Sequence, residues 1–186
     1  MKKKKIILLA SIFTLLICWS ACNKKETAIA PPLPGNEALT TMIITATNAG
    51  DSTDVRTAKW IELDPTGATP PDTSLAVLNL KKNASYNVTI QLLDSLTDVT
   101  PEIKDRENYH LFCFDVSSGL NLTCIQTDKD TNPTPLPIGL TDLFTTTAVS
   151  NGHVEVTLHH QPNVKNGDCA PGSIDMDCTF TVNITN

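Results

Sequence analysis

The sequence predicts an all-β fold, an antiparallel immunoglobulin-like β-sandwich of about nine strands. Three observations carry that prediction. Nine short segments are rich in β-branched and aromatic residues, as strands are. Clusters of Gly, Pro, Asn or Asp separate most of them, at the spacing a sandwich requires. Only one segment carries a helical start signal.

In order, the strands are TTMIITATN (40–48), VRTAKWIEL (55–63), SLAVLNLKK (74–82), SYNVTIQLLD (85–94), YHLFCFDVS (109–117), LNLTCIQTD (120–128), LTDLFTTTAV (140–149), HVEVTLHHQ (153–161) and IDMDCTFTVNIT (174–185). The last is the cleanest. Ile174, Met176, Cys178, Phe180, Val182 and Ile184 share one face, with Asp175, Asp177, Thr179, Thr181 and Asn183 on the other. The helix is TPEIKDREN (100–108), where Thr100 caps and Pro101 takes the first helical position. The acidic stretches DSTD (51–54) and DPTG (64–67) read as ordinary turns, because neither has the ligand spacing of a calcium loop.

The first 21 residues are a lipoprotein signal peptide rather than part of the fold. Lys2 to Lys5 precede an apolar run of about 16 residues, short of the roughly 20 a spanning helix needs. Ser20 and Ala21 then lead into Cys22, the expected lipidation site. Residues 22–38 are polar and proline-rich, a tether with neither strand nor helix period. Residues 39–186 form one domain, long enough for a real core. The chain is therefore expected to be bound to the outer membrane through an N-terminal lipid. Four of the 14 basic residues lie in the leader, leaving 10 against 20 acidic ones, a net charge of −10. That balance argues against nucleic acid as a partner.

Beyond the lipidation site Cys22 are four cysteines, Cys113, Cys124, Cys169 and Cys178. An even number in an exported domain suggests two disulfides, with three connectivities open. The local pairs are favoured. A hairpin turning at Ser118-Gly119 would set Cys113 opposite Cys124, and Cys169–Cys178 would staple the loop entering the last strand. A zinc site made from all four is the competing possibility, although no CxxC spacing supports it.

No phosphate-binding glycine loop, GxSxG elbow, HExxH helix or dinucleotide fingerprint is present. Glu102, Asp105, Glu107 and Asp115 offer carboxylates, but a solvated helix face explains most of them. The sequence accordingly reads as a binding protein, not an enzyme. The histidines are the informative residues. By strand parity, His110 lies on the side of Phe112, Phe114 and Val116, and His160 on the side of Val154, Val156 and Leu158. If the strands run up and down in turn, the two imidazoles converge at one rim of the core, with Glu107 and Gln161 nearby. His110, His160 and Glu107 would suit zinc or copper. The competing reading is that both rings cover the core and bond loop carbonyls. His159 points to the opposite face by parity, and His153 lies beside a turn glycine.

The segments YHLFCFDV, PIGLTDLFTT, VEVTLHHQPNVKNGD and CTFTVNIT resemble a family of small exported lipoproteins of Bacteroidota, often encoded beside TonB-dependent outer-membrane receptors. The matching positions are His110 and Phe112, Ile138 to Thr141, His160 to Pro162, Lys165 and Gly167. The resemblance spans about residues 40 to 184, and the cysteine pairs are a departure from the family pattern. It implies an accessory that captures a metal ion or other small nutrient for such a receptor. The alternative is a structural or adhesive sandwich with no small-molecule site. Under the same resemblance, Asp-Ser-Thr at 51–53 and Asp-Ser-Leu at 94–96 match a short O-glycosylation sequon, at Ser52 and Ser95.

Overall fold

A computed structural model describes residues 39–186 except Pro65. The expected leader, the expected lipidation site Cys22 and the expected tether lie outside the described residues. The domain is an all-β sandwich of two sheets. In the first sheet the order is β2 (Val55–Ile61), β1 (Thr41–Asn48), β4 (Ser85–Asp94), β8 (Thr141–Thr146) and β7 (Leu122–Gln126), with the two-residue β5 (Thr97–Asp98) also paired to β4. In the second it is β3 (Val77–Lys81), β10 (Ser173–Thr185), β9 (Ser150–His160) and β6 (His110–Val116). Every pairing is antiparallel except β3 with β10.

All nine expected segments form strands, and β5 is the addition. Period-two alternation explains why. Met42, Ile44 and Ala46 of β1 are buried, as are Tyr86, Val88, Ile90 and Leu92 of β4. They meet Leu78, Phe112, Val154, Val156, Leu158, Phe180 and Val182 from the second sheet in one core. Burying each large side chain contributes about 1.5–3 kcal/mol. The fully buried Tyr86 keeps its hydroxyl satisfied by accepting the Lys81 amide at 2.8 Å.

The short helix α1 (Thr100–Asp105) packs Ile103 into the core. Thr100 does not cap it. Val99 takes that position without a side-chain bond, while the Thr100 hydroxyl accepts the Leu92 amide at 2.9 Å.

The expected hairpin between β6 and β7 is instead a crossover. Gly119 turns with φ +88° and the Leu120 amide donates to Ser117, so the tight turn exists. It carries the chain from one sheet to the other, however, and β6 pairs with β9. The free edge of β6 is covered by the connection before β8. There the Phe112 amide donates to the Ile138 carbonyl at 2.7 Å, while from the end of β7 Gln126 Nε2 donates to the Phe112 carbonyl at 3.0 Å. Covering an edge in this way removes a template for strand-to-strand association.

Candidate functional site

The β6–β9 register makes His110 and His160 direct cross-strand partners. Their rings stack with centroids 5.1 Å apart and planes inclined by 19°. Both are buried. His110 Nδ1 lies 3.2 Å from the Arg106 carbonyl, which can only accept. Nδ1 donates to that carbonyl, and the other ring nitrogen, Nε2, faces Asp175 Oδ2 at 3.7 Å. That carboxylate oxygen is buried without a partner among the described residues. Burial pushes the His160 imidazole below its usual range, a shift that the Asp175 charge partly opposes.

Glu107 does not join this rim. Its carboxylate pairs with Lys104 at 2.6 Å instead, so the expected set of His110, His160 and Glu107 is corrected in its third member. Asp175 takes the place, although simple alternation assigns it to the opposite face. The cause is a β-bulge between Ile174 and Met176, which breaks the parity and re-aims the intervening side chain. Stacked rings also make a poor chelate. A metal lies in the plane of each imidazole along the nitrogen lone pair, and near-parallel planes do not converge. Among the described residues, no group of three or more His, Cys, Asp or Glu is arranged to hold a metal ion.

The disulfide expectation is corrected more sharply. Among the described residues there is one bond, Cys113–Cys169, while Cys124 and Cys178 are free. Cys113 pairs with Thr157, and its neighbour Leu111 with His159, on the face of the second sheet turned away from the core. Cys124 is on β7 in the other sheet and packs against the core, and Cys178 is fully buried within it. Neither thiol can reach a partner on the outer face. Burial also pushes both thiols well above their usual range, which keeps them protonated.

The bond ties the connection 161–172 across that outer face. Leu111, Cys113, Thr157 and His159 are buried there. His159 Nε2 and the Thr157 hydroxyl lie 3.0 Å apart. Gln161, with no exposed surface, organises the connection by donating its Nε2 to the carbonyls of Asp168 at 2.8 Å and Pro171 at 2.9 Å.

The same connection meets a second one, residues 127–140, at the His110 end of β6. Lys165, its side chain 2% exposed, places Nζ 2.9 Å from Asp130 Oδ2, which is completely buried. It also donates to the Glu107 carbonyl at 2.8 Å. Asp130 in turn accepts the amides of Leu136 and Asn132 and the Asn132 side chain. Burial acts to raise this carboxyl, but the Leu136 amide, Lys165 and Asn132 outweigh it and hold it below its usual range. Over the ion pair lies a cleft of about 490 Å³ lined by Asn108, Tyr109, Asn132, Thr134 and Asn163, with Lys165 in its wall. Nothing in the local sequence marks this site, because its hub joins residues 35 positions apart.

Ser52 and Ser95 are both exposed in turns, the latter with φ +56° next to the highly exposed Leu96. Comparison with protein-family models, with curated proteins and with solved structures found no match in any of the three.

Proposed function

We propose that the chain is a lipid-anchored envelope binding module, an accessory that captures a small nutrient on its loop platform for a TonB-dependent outer-membrane receptor. The leader, Cys22 and the family resemblance support the anchor and the association with a receptor. The observation that carries the binding role is the platform itself. Two long connections are fixed at one end of the sandwich by a buried ion pair and a disulfide, and a cleft opens between them. A buried ion pair is seldom the most stable filling of its volume; an apolar replacement is often as good or better. What it does supply is a defined loop geometry, which a binding surface needs.

A second reading is favoured by one observation, the unpartnered Asp175 Oδ2 facing His110 Nε2 at 3.7 Å. A zinc or copper ion on that axis would satisfy both groups, after one ring had rotated out of the stack. Calorimetry separates the two. The detergent-solubilised full chain is titrated with zinc and copper(II), beside a His110→Ala/His160→Ala variant. The platform reading expects no stoichiometric binding that the variant loses; such binding would transfer the function to the histidine rim. For the anchor, Cys22→Ser should move the protein from the membrane fraction to the soluble fraction. Retention in the pellet would sink that part of the proposal.

A further inference from the structure

We infer that the platform cleft is a saccharide site, built for a neutral polyhydroxyl ligand. This rests on the reading of the platform as the working surface and adds the chemistry of what it takes.

The cleft's electrostatics come first. Its one cation among the described residues, Lys165, is committed to Asp130 and to the Glu107 carbonyl. The Asp130 carboxylate is committed to Lys165, Asn132 and the Leu136 amide. The pair cancels, so no described residue lining the cleft presents an unpaired charge to an ion of either sign. The surrounding chain, at −10 after the leader, opposes anions further.

What remains is a set of neutral hydrogen-bonding groups, of which the Asn108 and Asn132 side chains are held by hydrogen bonds. Asn108 Oδ1 accepts the Thr131 amide and hydroxyl at 3.2 and 3.3 Å, which leaves its Nδ2 as a donor. Asn132 donates Nδ2 to Asp130 at 2.9 Å, which leaves its Oδ1 as an acceptor. No described residue bonds the side chains of Asn163, Thr134 or Tyr109. A primary amide presents a donor and an acceptor side by side, and two adjacent sugar hydroxyls present the complement. Such a site rejects ligands lacking the hydroxyls, since its own groups would then lie unpaired.

The apolar requirement is met as well. A sugar ring has polar edges and C–H faces, and Tyr109, Pro133 and Leu136 line the cleft beside the amides. Tyr109 is held at both of its backbone groups, its amide donating to Arg106 and its carbonyl accepting Gln161 at 2.6 Å. The backbone that carries the ring is thus fixed, and the ring itself offers an apolar face with a polar tip. The volume, about 490 Å³, falls within the roughly 300–1,000 Å³ of small-ligand sites.

The test uses the detergent-solubilised full chain and calorimetric titration. The probes are neutral hexasaccharides of glucose, mannose, xylose and N-acetylglucosamine, with an oligogalacturonate and a mixed-sequence hexapeptide as charged and peptidic counterparts. Asn163→Ala and Tyr109→Phe are the cleft variants, and Asn87→Ala, on the exposed face of β4, is the control. At least one neutral hexasaccharide should bind at sub-millimolar concentration, and each cleft variant should weaken it about tenfold or more. The control should not change it. Thermal unfolding of each variant accompanies the titrations; Tyr109→Phe keeps the ring, so it decides if Asn163→Ala is destabilised. No neutral binding at millimolar concentration overturns the saccharide assignment. Binding confined to the oligogalacturonate or the peptide, and lost on the same substitutions, also overturns it, yet keeps the cleft as the binding surface. Sugar binding untouched by both cleft variants removes the cleft from the binding role altogether.

Discussion

Gly139 shows how tightly single residues are constrained where the platform meets the core. Its φ is +87°, and a Cβ there would lie 2.8 Å from Phe112 Cβ and 3.1 Å from Gln126 Cγ. Its amide donates to Asp128 Oδ1 at 2.7 Å, so the backbone cannot easily swing away. Gly139→Ala therefore combines a left-handed backbone penalty with a collision against the Cβ of the fully buried Phe112. A loss of about 2–4 kcal/mol is expected from urea unfolding; a loss under about 0.5 kcal/mol would mean that the loop has room to move. The histidines make a complementary point at this scale. That His110 and His160 meet was legible from strand parity, because both flank unbroken alternation. Asp175 was not legible there. A single inserted residue reverses parity locally, and no residue type in IDMDC announces the bulge.

Among the elements, local patterning fixed the strands, while long-range pairing fixed where they went. Nine segments alternate clearly and all nine are strands; β5 has two residues, too few to show any period. The turn at Ser118-Gly119 has the chemistry of a hairpin, yet the same residues serve a crossover between sheets. The choice is made by whether β6 finds β9 or β7, and residues 150–160 settle that in favour of β9. The disulfide follows from that choice, since β9 orders the connection that presents Cys169 to Cys113. Reduction, or Cys113→Ala with Cys169→Ala, should cost about 4 kcal/mol on the chain-entropy account of a loop closed across 56 residues. It should also raise hydrogen exchange in 161–172 before the core strands. Peptide mapping that links Cys113 to Cys124 would refute the pairing outright. Lys165 makes a second demand on the same elements. Lys165→Met leaves Asp130 buried without its cation and should cost about 3–5 kcal/mol, as breaking one side of a buried pair does. Adding Asp130→Asn should recover part of that loss, because the neutral amide needs no counter-ion. A double variant as damaged as the sum of the singles would mean that the two side chains are not coupled.

The stability of the whole molecule should carry the mark of a carboxyl group that none of the proposed functions uses. Asp142 is buried on β8, and both its oxygens lack partners among the described residues. Burial, with the Asp128 charge adding to it, pushes its pKa up to about 8 from 3.8. The native state therefore holds a proton on Asp142 that the unfolded chain releases above about pH 4. By linkage, stability from this group is fully present below about pH 4 and is lost as pH rises through about 8. The histidines act in the opposite direction. Burial lowers the native pKa of His159 and His160, so the unfolded chain binds protons first as pH falls below about 6.5. Their contribution is present above that value and lost through the acid range. Together the two effects give a maximum in mildly acidic solution and a decline between about pH 6.5 and 8 that belongs to Asp142 alone among these groups. At ~1.4 kcal/mol per pKa unit, the decline over that interval is on the order of 2 kcal/mol. Asp142→Asn mimics the protonated form and should turn the decline into a plateau while leaving the acid limb in place. Urea unfolding of both proteins at half-unit steps from pH 4.5 to 8.5 measures it directly. If the variant falls as steeply as the parent above pH 6.5, the titrating group is elsewhere, and Asp142 is ionised in the native core.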